Sequence, residues 1–283
     1  MTWFLFTILS IVFRSAYGVM TKVLSNRLEV SIYTQATLLS FSGAILSLLI
    51  APLVGGLQIH FEHVSLLAVA LVILGQGLGN ITYFAAIRNL TNGTAQIAFS
   101  SILIFNTFLS LVFLNLHLSP LNIFGLVLLM LAILSVVSGK IELHRKGVAL
   151  MVLAAFLFSI FQLASAELSK QVGAATYLII AYLGAAAIVA VLKWRAVSKD
   201  LRKTSLRILR IPLLTALPSL GNFLFAYYAY REAPQPAKVA MLLTSQVVLT
   251  VLLSYFFLHE KSHVGRKALA ALLVVISAVL IKS

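Results

Sequence analysis

The sequence lacks cysteine and contains few acidic residues and little charge of either sign. None of the 283 residues is cysteine, which excludes disulfides, thiolate metal sites and a catalytic thiol. Only 7 residues are Asp or Glu, and charged residues make up 10% of the chain against 61% that are hydrophobic. A soluble domain is usually about a quarter charged. This balance therefore indicates an integral membrane protein.

Long polar segments are also missing, so there is no room for a soluble domain. The net charge of +14 does not predict nucleic-acid binding, because Lys and Arg fall in loops between apolar runs. The N-terminus, MTWFLFTILS, lacks a basic first segment and a small-residue cleavage site. We therefore expect it to form the first membrane helix and not a signal peptide.

Apolar runs long enough to cross a bilayer recur along the whole chain. A membrane helix needs about 20 predominantly apolar residues. Ten runs meet this requirement, at roughly 3–24, 31–54, 63–87, 94–115, 120–138, 147–169, 174–194, 211–230, 236–258 and 263–281. The sequence therefore predicts an all-α integral membrane protein with ten transmembrane helices.

The two halves of the sequence resemble each other. LGNITYFAAIRN at 78–89 matches LGNFLFAYYAYRE at 220–232 with one residue inserted, and SSILIFNTFLSLVFL at 100–114 matches TSQVVLTVLLSYFFL at 244–258. The halves are thus copies of one unit, which we expect at 1–143 and 144–283.

Each unit holds five predicted helices, and this odd number has a topological consequence. The second unit must cross the membrane in the opposite sense to the first, which gives two inverted five-helix repeats. Inverted repeats occur in alternating-access transporters, where the substrate site lies near the midplane between the halves.

The end of the fourth helix in each unit carries a family resemblance. The second copy ends in FLHE at 257–260, and the first departs from this pattern with FLNL at 113–116. Ten helices, five-plus-five repeats and an FLxE-type ending resemble the drug/metabolite transporter superfamily, EamA-like. The resemblance covers the whole chain and implies transport. It leaves the substrate open, since the family handles amino acids, choline-like cations, sugars, nucleotide precursors and drugs.

The distribution of Lys and Arg predicts the orientation. Most of them fall in loops that follow odd-numbered helices, above all in the 193–210 loop. The positive-inside rule then puts this loop in the cytoplasm and both termini outside, in the cell (inner) membrane. The family resemblance implies termini inside. We predict the orientation from the distribution of charges.

Arg14 lies near the middle of the first apolar run, in LSIVFRSAYGVM at 9–20. A charge at the centre of a membrane helix costs about 3 kcal/mol, so a partner, a water-filled cavity or an anionic ligand should offset it. Glu167 is the only acid within a predicted span. Two interpretations stay open: Arg14 binds an anionic substrate group, or it pairs with Glu167.

Polar side chains on several predicted helices indicate a substrate site inside the bundle. The candidate substrate-binding residues are Arg14, Tyr17, Gln76, Asn80, Tyr83, Gln162, Asn222, Tyr227 and Gln246. Glu167 is the candidate coupling residue. In YYAYRE at 227–232 we expect Tyr227 at the cavity and Tyr230 in an interfacial aromatic belt.

The sequence contains no metal-binding cluster, nucleophile triad or carboxylate pair, so we expect neither an enzyme nor a cofactor. We expect a secondary active transporter of a small polar metabolite, an amino acid or related organic acid. The alternatives are an exporter of cationic or aromatic drugs, with Arg14 paired to Glu167, and a non-transporting membrane scaffold or lipid-binding accessory protein. The expected partners are the small-molecule substrate, the lipid bilayer and a coupling proton or ion, without nucleic acid. The oligomeric state stays open.

Overall fold

A computed structural model describes residues 2–58, 64–114, 119–137, 145–204, 209–234, 236–260 and 263–282, and within these ranges the chain is helical without strands. The helices are α1 (Thr2–Arg27), α2 (Ile32–Ile50), α3 (Leu66–Ile87), α4 (Asn92–Phe99), α5 (Ile102–Leu114), α6 (Pro120–Val137), α7 (Arg145–Gln171), α8 (Ala174–Leu192), α9 (Trp194–Leu201), α10 (Arg210–Glu232), α11 (Pro236–Leu243), α12 (Gln246–Phe257) and α13 (Val264–Lys282). A 3₁₀ turn, Ala51–Val54, extends α2.

Within the described ranges, six helical segments are long and apolar enough to cross a membrane. They are α1, α2 with its 3₁₀ turn, α3, α4 together with α5, α7 and α8. Their outward faces expose large apolar side chains, such as Leu66 at 80% and Phe113 at 67%. Faces of this kind bury against lipid. The protein is therefore a multi-pass membrane protein.

Hydroxyl groups define where several helices begin. The side chains of Ser31, Ser65 and Thr91 each accept a hydrogen bond from the backbone N–H three residues later, at the starts of α2, α3 and α4. Such caps satisfy a backbone donor that has no partner inside the helix. These caps mark where the short loops between neighbouring helices end.

The helices of the two halves pack in matching pairs. Helix α3 packs along α7 and α10 packs along α1, while α2 lies against α8 and α6 against α13. If each helix is replaced by its counterpart in the other half, the α3–α7 pair becomes the α10–α1 pair. The α2–α8 and α6–α13 pairs stay the same. Gly75 permits the close α3–α7 contact, because a Cβ there would lie 3.0 Å from the Leu157 carbonyl oxygen. The expected division at residues 143 and 144 lies outside the described residues.

Hydrogen bonds show that α1 and α7, the first helices of the two units, run in opposite directions. Lys22, near the end of α1, donates to the carbonyl of Leu90 just after α3, at 2.7 Å. Gln171, at the end of α7, accepts from the backbone N–H of Ser65 just before α3, at 2.8 Å. The two helices therefore end at opposite ends of α3.

Two helices that the sequence predicts to be continuous are interrupted. The predicted run 94–115 breaks at Ser100–Ser101 between α4 and α5, and 236–258 breaks at Thr244–Ser245 between α11 and α12. At each break a serine hydroxyl bonds a carbonyl of the preceding turn, which competes with regular helical bonding. Helices α4 and α11 begin 144 residues apart and end 144 residues apart.

Candidate functional site

A central cavity lies where α1, α3, α7 and α10 meet the two interruptions. Its polar lining consists of Arg14, Gln76, Gln96, Gln162, Asn222 and Gln246. The free volume is about 50 Å³, which holds only a few water molecules. The cavity is therefore small, and its side chains must separate to accommodate a larger ligand.

Of the residues that the structure describes, Arg14 is the only cationic one that lines this cavity. With the Gln162 amide oxygen directed at the guanidinium, Arg14 donates to it from both terminal nitrogens, at 2.9 and 3.2 Å. The guanidinium carbon also lies 5.7 Å from the centre of the Phe99 ring. Among the described residues no carboxylate pairs with Arg14, so its positive charge is solvated only by neutral groups.

Two buried glutamines present unpartnered acceptors at the cavity. Gln76 is 2% exposed and Gln246 is 5% exposed, and neither Oε1 atom has a hydrogen-bond partner within the described part of the chain. Leaving a buried acceptor unsatisfied is unfavourable by about 1–3 kcal/mol. These atoms suit a ligand that brings N–H or O–H donors.

Aromatic rings form most of the remaining wall. They belong to Tyr17, Tyr83, Tyr177, Tyr230, Phe99, Phe158, Phe161 and Phe223. Tyr83 packs edge-on against Phe99 with ring centres 5.7 Å apart, and Phe99 packs edge-on against Phe158 at 5.6 Å. Gln96 donates to the Tyr83 hydroxyl at 2.7 Å. The cavity thus combines one cation, several amides and an apolar surround.

The structure brings most of the sequence-predicted site residues together. Those that line the cavity are Arg14, Tyr17, Gln76, Tyr83, Gln162, Asn222 and Gln246. Asn80 does not line it. Its side-chain nitrogen donates to the Ser40 hydroxyl at 3.2 Å, which links α3 to α2. Asn80 thus has the helix-bridging role that polar residues often have in membranes.

Tyr227 and Tyr230 of α10 do not lie where the sequence predicts. Tyr227 lies outside the cavity, where its hydroxyl donates to the Val172 carbonyl at 2.7 Å and accepts from Arg231 at 2.9 Å. Tyr230, expected in an interfacial belt, lines the cavity and is 3% exposed. Its hydroxyl has no partner within the described ranges, so it is free to contact a ligand.

Glu167 lies apart from Arg14. It is exposed on α7, and its carboxylate accepts from the Gln171 side chain at 2.7 Å. The expected alternative of an Arg14–Glu167 ion pair is therefore not formed. In the described residues an ion pair instead joins Lys267 to Glu260 at 3.6 Å.

A larger side cleft of about 540 Å³ adjoins the central cavity. It runs between α3, α5, α7 and α11, is mostly apolar, and has Glu167 and Lys170 among its lining residues. Gln162 and Tyr230 line both the cleft and the cavity. Gln162 also lies 2.9 Å from the Asn106 side-chain nitrogen in the cleft. These two side chains therefore separate the cleft from Arg14.

Sequence reasoning missed several cavity residues. Gln96 stands out as a polar residue within an apolar run, but it was not among the candidate site residues. Phe99, Phe158 and Phe223 gave no signal, because phenylalanine in an apolar helix faces lipid, core or cavity equally well. Only the packing of the helices shows which phenylalanines face the cavity.

The paired helix contacts, the interruptions and the buried polar cavity define a two-repeat membrane protein of the transporter type. A model of the EamA-like transporter family matches residues 1–138 and again 145–283. The chain belongs to this family, which places it in the drug/metabolite transporter superfamily.

A solved structure shows the same fold, and no curated protein matches the chain. That structure, described as "Crystal structure of protein", superposes with a TM-score of 0.71 and 16% sequence identity. The match covers 98% of this chain and 96% of the other. At this identity the likeness concerns the fold alone.

Proposed function

We propose that the protein is a secondary active transporter of a small polar metabolite, an amino acid or related organic acid, in the cell (inner) membrane. The observation that carries this proposal is Arg14, a cation in the central cavity without an acidic partner among the described residues. A guanidinium binds a carboxylate with two parallel hydrogen bonds. The free oxygens of Gln76 and Gln246 would accept from a substrate ammonium or hydroxyl group.

The proposed mechanism is alternating access by two inverted five-helix repeats, with ten membrane crossings in all. The opposite directions of α1 and α7 and the matching packing pairs support the inversion. Interrupted helices in corresponding positions of two repeats are a feature of transporter substrate sites. Here the interruptions of α4–α5 and α11–α12 lie beside the cavity that contains Arg14.

We propose that the basic 193–210 loop lies in the cytoplasm and that both termini lie outside, as the positive-inside rule indicates. Glu167 remains our candidate for a coupling proton or ion. It lines the side cleft, from which an ion could reach the cavity past Gln162. In this proposal Glu167 would bind the coupling proton or ion in the side cleft and not in the central cavity.

The alternatives have less support. A drug exporter with Arg14 neutralised by Glu167 requires an ion pair that is not formed. A membrane scaffold or lipid-binding accessory protein needs no buried polar centre, whereas this cavity contains Arg14 and four glutamines.

Counterflow in proteoliposomes tests the proposal. Vesicles loaded with candidate amino acids or organic acids should accumulate the labelled compound, while neutral amide analogues and cationic drugs should not be accumulated. Arg14→Gln should abolish counterflow of the carboxylate. Arg195→Gln, which removes an exposed arginine outside the cavity, should leave it unchanged. Accumulation of cationic drugs alone by the wild-type protein would overturn the proposed substrate class.

A further inference from the structure

Glu260 binds the start of helix α4 through a partly buried carboxylate. Its Oε1 accepts from the Asn92 backbone N–H at 2.6 Å, and its Oε2 accepts from Gly93 at 3.1 Å. Lys267 lies 3.6 Å from Oε2, and the Lys267 and Glu260 side chains are only 4% and 12% exposed. A carboxylate is favoured at this position by the N–H groups and dipole of the helix as well as by the lysine.

This contact joins the two repeats. Helix α4 belongs to the first repeat, whereas Glu260 and Lys267 belong to the second. The Asn92 side chain adds a hydrogen bond to the Ser254 hydroxyl of α12 at 2.8 Å. We name this group, Asn92, Gly93, Ser254, Glu260 and Lys267, the α4 clamp.

The α4 clamp acts on a helix that forms part of the central cavity. Helix α4 carries Gln96 and Phe99, which line the cavity next to Tyr83 and Arg14. Because α4 spans only Asn92–Phe99 and is interrupted directly afterwards, a contact at its first turn determines the position of both side chains. Releasing the clamp would let α4 move away from the cavity.

Within the described residues, the corresponding helix start in the other repeat, that of α11, borders the side cleft. The 144-residue offset relates Asn92 to Pro236 and Ser254 to Ser110, and both Pro236 and Ser110 line the side cleft of about 540 Å³. In the sequence, the residue at the offset of Glu260 is Leu116, in FLNL, whose side chain has no carboxylate. One end of the molecule is therefore clamped where its counterpart is a cleft.

We propose that Glu260 is the gate residue of the clamped end: it holds α4 against α12 and α13, and this contact must open for the cavity to reach that side of the membrane. The inference rests on the proposed transport function and deepens it. Glu260 is a positioning residue, since it acts on the cavity through Gln96 and Phe99. Its replacement shifts the transporter toward the state that opens at the clamped end.

Cysteine labelling tests the gate, and the natural absence of cysteine gives a silent background. Ala226, a small residue of the cavity wall, is changed to cysteine as the reporter. A membrane-impermeant methanethiosulfonate is then applied to either side of oriented vesicles. Glu260→Gln should raise the labelling rate from the clamped side at least tenfold and lower it from the other side. Glu29→Gln, at an exposed glutamate, is the matched control and should change neither rate.

A second pair of variants keeps the test decisive if Glu260→Gln folds poorly. Asn92→Cys combined with Ser254→Cys replaces two side chains in contact at 2.8 Å, so oxidation should lock α4 to α12. Counterflow of the substrate should stop on oxidation and return on reduction. Normal counterflow by the oxidised protein would overturn the proposal that Glu260 is a gate residue. Unchanged labelling rates in folded Glu260→Gln protein would overturn it as well. Labelling requires no substrate, so it tests the gate even if the transport proposal fails.

Discussion

At the scale of single residues, Arg14 is the side chain that most needs an explanation. An isolated charge in a low-dielectric interior is strongly disfavoured, and its contacts here are the Gln162 amide and the Phe99 ring. Neutral groups solvate a guanidinium without neutralising it. A positive charge therefore remains directed at the cavity, where a carboxylate would be held by charge and by geometry.

Thermal melts of Arg14 and Glu167 variants test whether the two residues are independent. Arg14→Gln should not destabilise the protein, because it removes a buried charge that has no ionic partner among the described residues. Glu167→Gln should change the stability by less than about 0.5 kcal/mol, as usual for an exposed site. The double variant should equal the sum of the singles. Rescue of a destabilised single by the double change would instead reveal a buried ion pair.

At the scale of secondary-structure elements, the connection between α8 and α10 is tied back onto the bundle by Asp200 in α9. Its carboxylate accepts from the Ser31 backbone N–H at 2.9 Å and from the Thr34 hydroxyl at 2.6 Å. Partial burial opposes ionisation of Asp200, but these hydrogen bonds prevail and lower its pKa below the usual value. Asp200 thus links α9 to the start of α2.

The lowered pKa of Asp200 predicts a pH dependence of stability. A carboxyl group with a lower pKa in the folded state stabilises the protein above its unfolded pKa, which is about 3.9 for Asp. That contribution is lost as the pH falls through the folded pKa. Asp200→Asn should lower the melting temperature at pH 7, and the difference from wild type should shrink below about pH 4. Glu232→Gln, at an exposed glutamate, is the control, and an equal loss there would contradict this role.

At the scale of the whole molecule, the repeats surround a cavity that is clamped on one side and bordered by a cleft on the other. Each unit contains an interrupted helix, and the first segments of these two helices, α4 and α11, are offset by 144 residues. The units nevertheless differ where Glu260 faces α4 and where Pro236 lines the cleft. In the alternating-access mechanism that we propose, this difference would distinguish the two ends of the transport pathway.

The orientation of the whole molecule is testable with two single cysteines. We expect a cysteine at Lys199 to be labelled from the cytoplasm and one at Ser283 from the outside, because basic loops are retained in the cytoplasm. Impermeant maleimide applied to right-side-out and inverted vesicles distinguishes the two sides. Labelling of position 283 from the cytoplasm would mean that the orientation implied by the family resemblance prevails over the charges.

The membrane-helix character and the repeats could be predicted from the sequence, because apolar runs and matched segments such as 78–89 and 220–232 are direct signals. The candidate site could be predicted from the sequence only in part. Arg14 and the glutamines stand out in apolar helices, whereas the choice between Tyr227 and Tyr230 depends on which side of α10 faces the cavity. The interruptions at Ser100–Ser101 and Thr244–Ser245 also escaped prediction, since hydroxyls are common within regular membrane helices.

The most direct test of the account is the thermal shift that a transported carboxylate produces in purified wild-type, Arg14→Lys and Arg14→Gln protein. A ligand that binds only the folded state raises the melting temperature. Wild type should respond to the carboxylate and not to its neutral amide analogue. Arg14→Lys should weaken binding by about tenfold or more, since one charged hydrogen bond is worth roughly 1.5 kcal/mol, and Arg14→Gln should show no shift. A full carboxylate-dependent shift in Arg14→Gln would contradict the account.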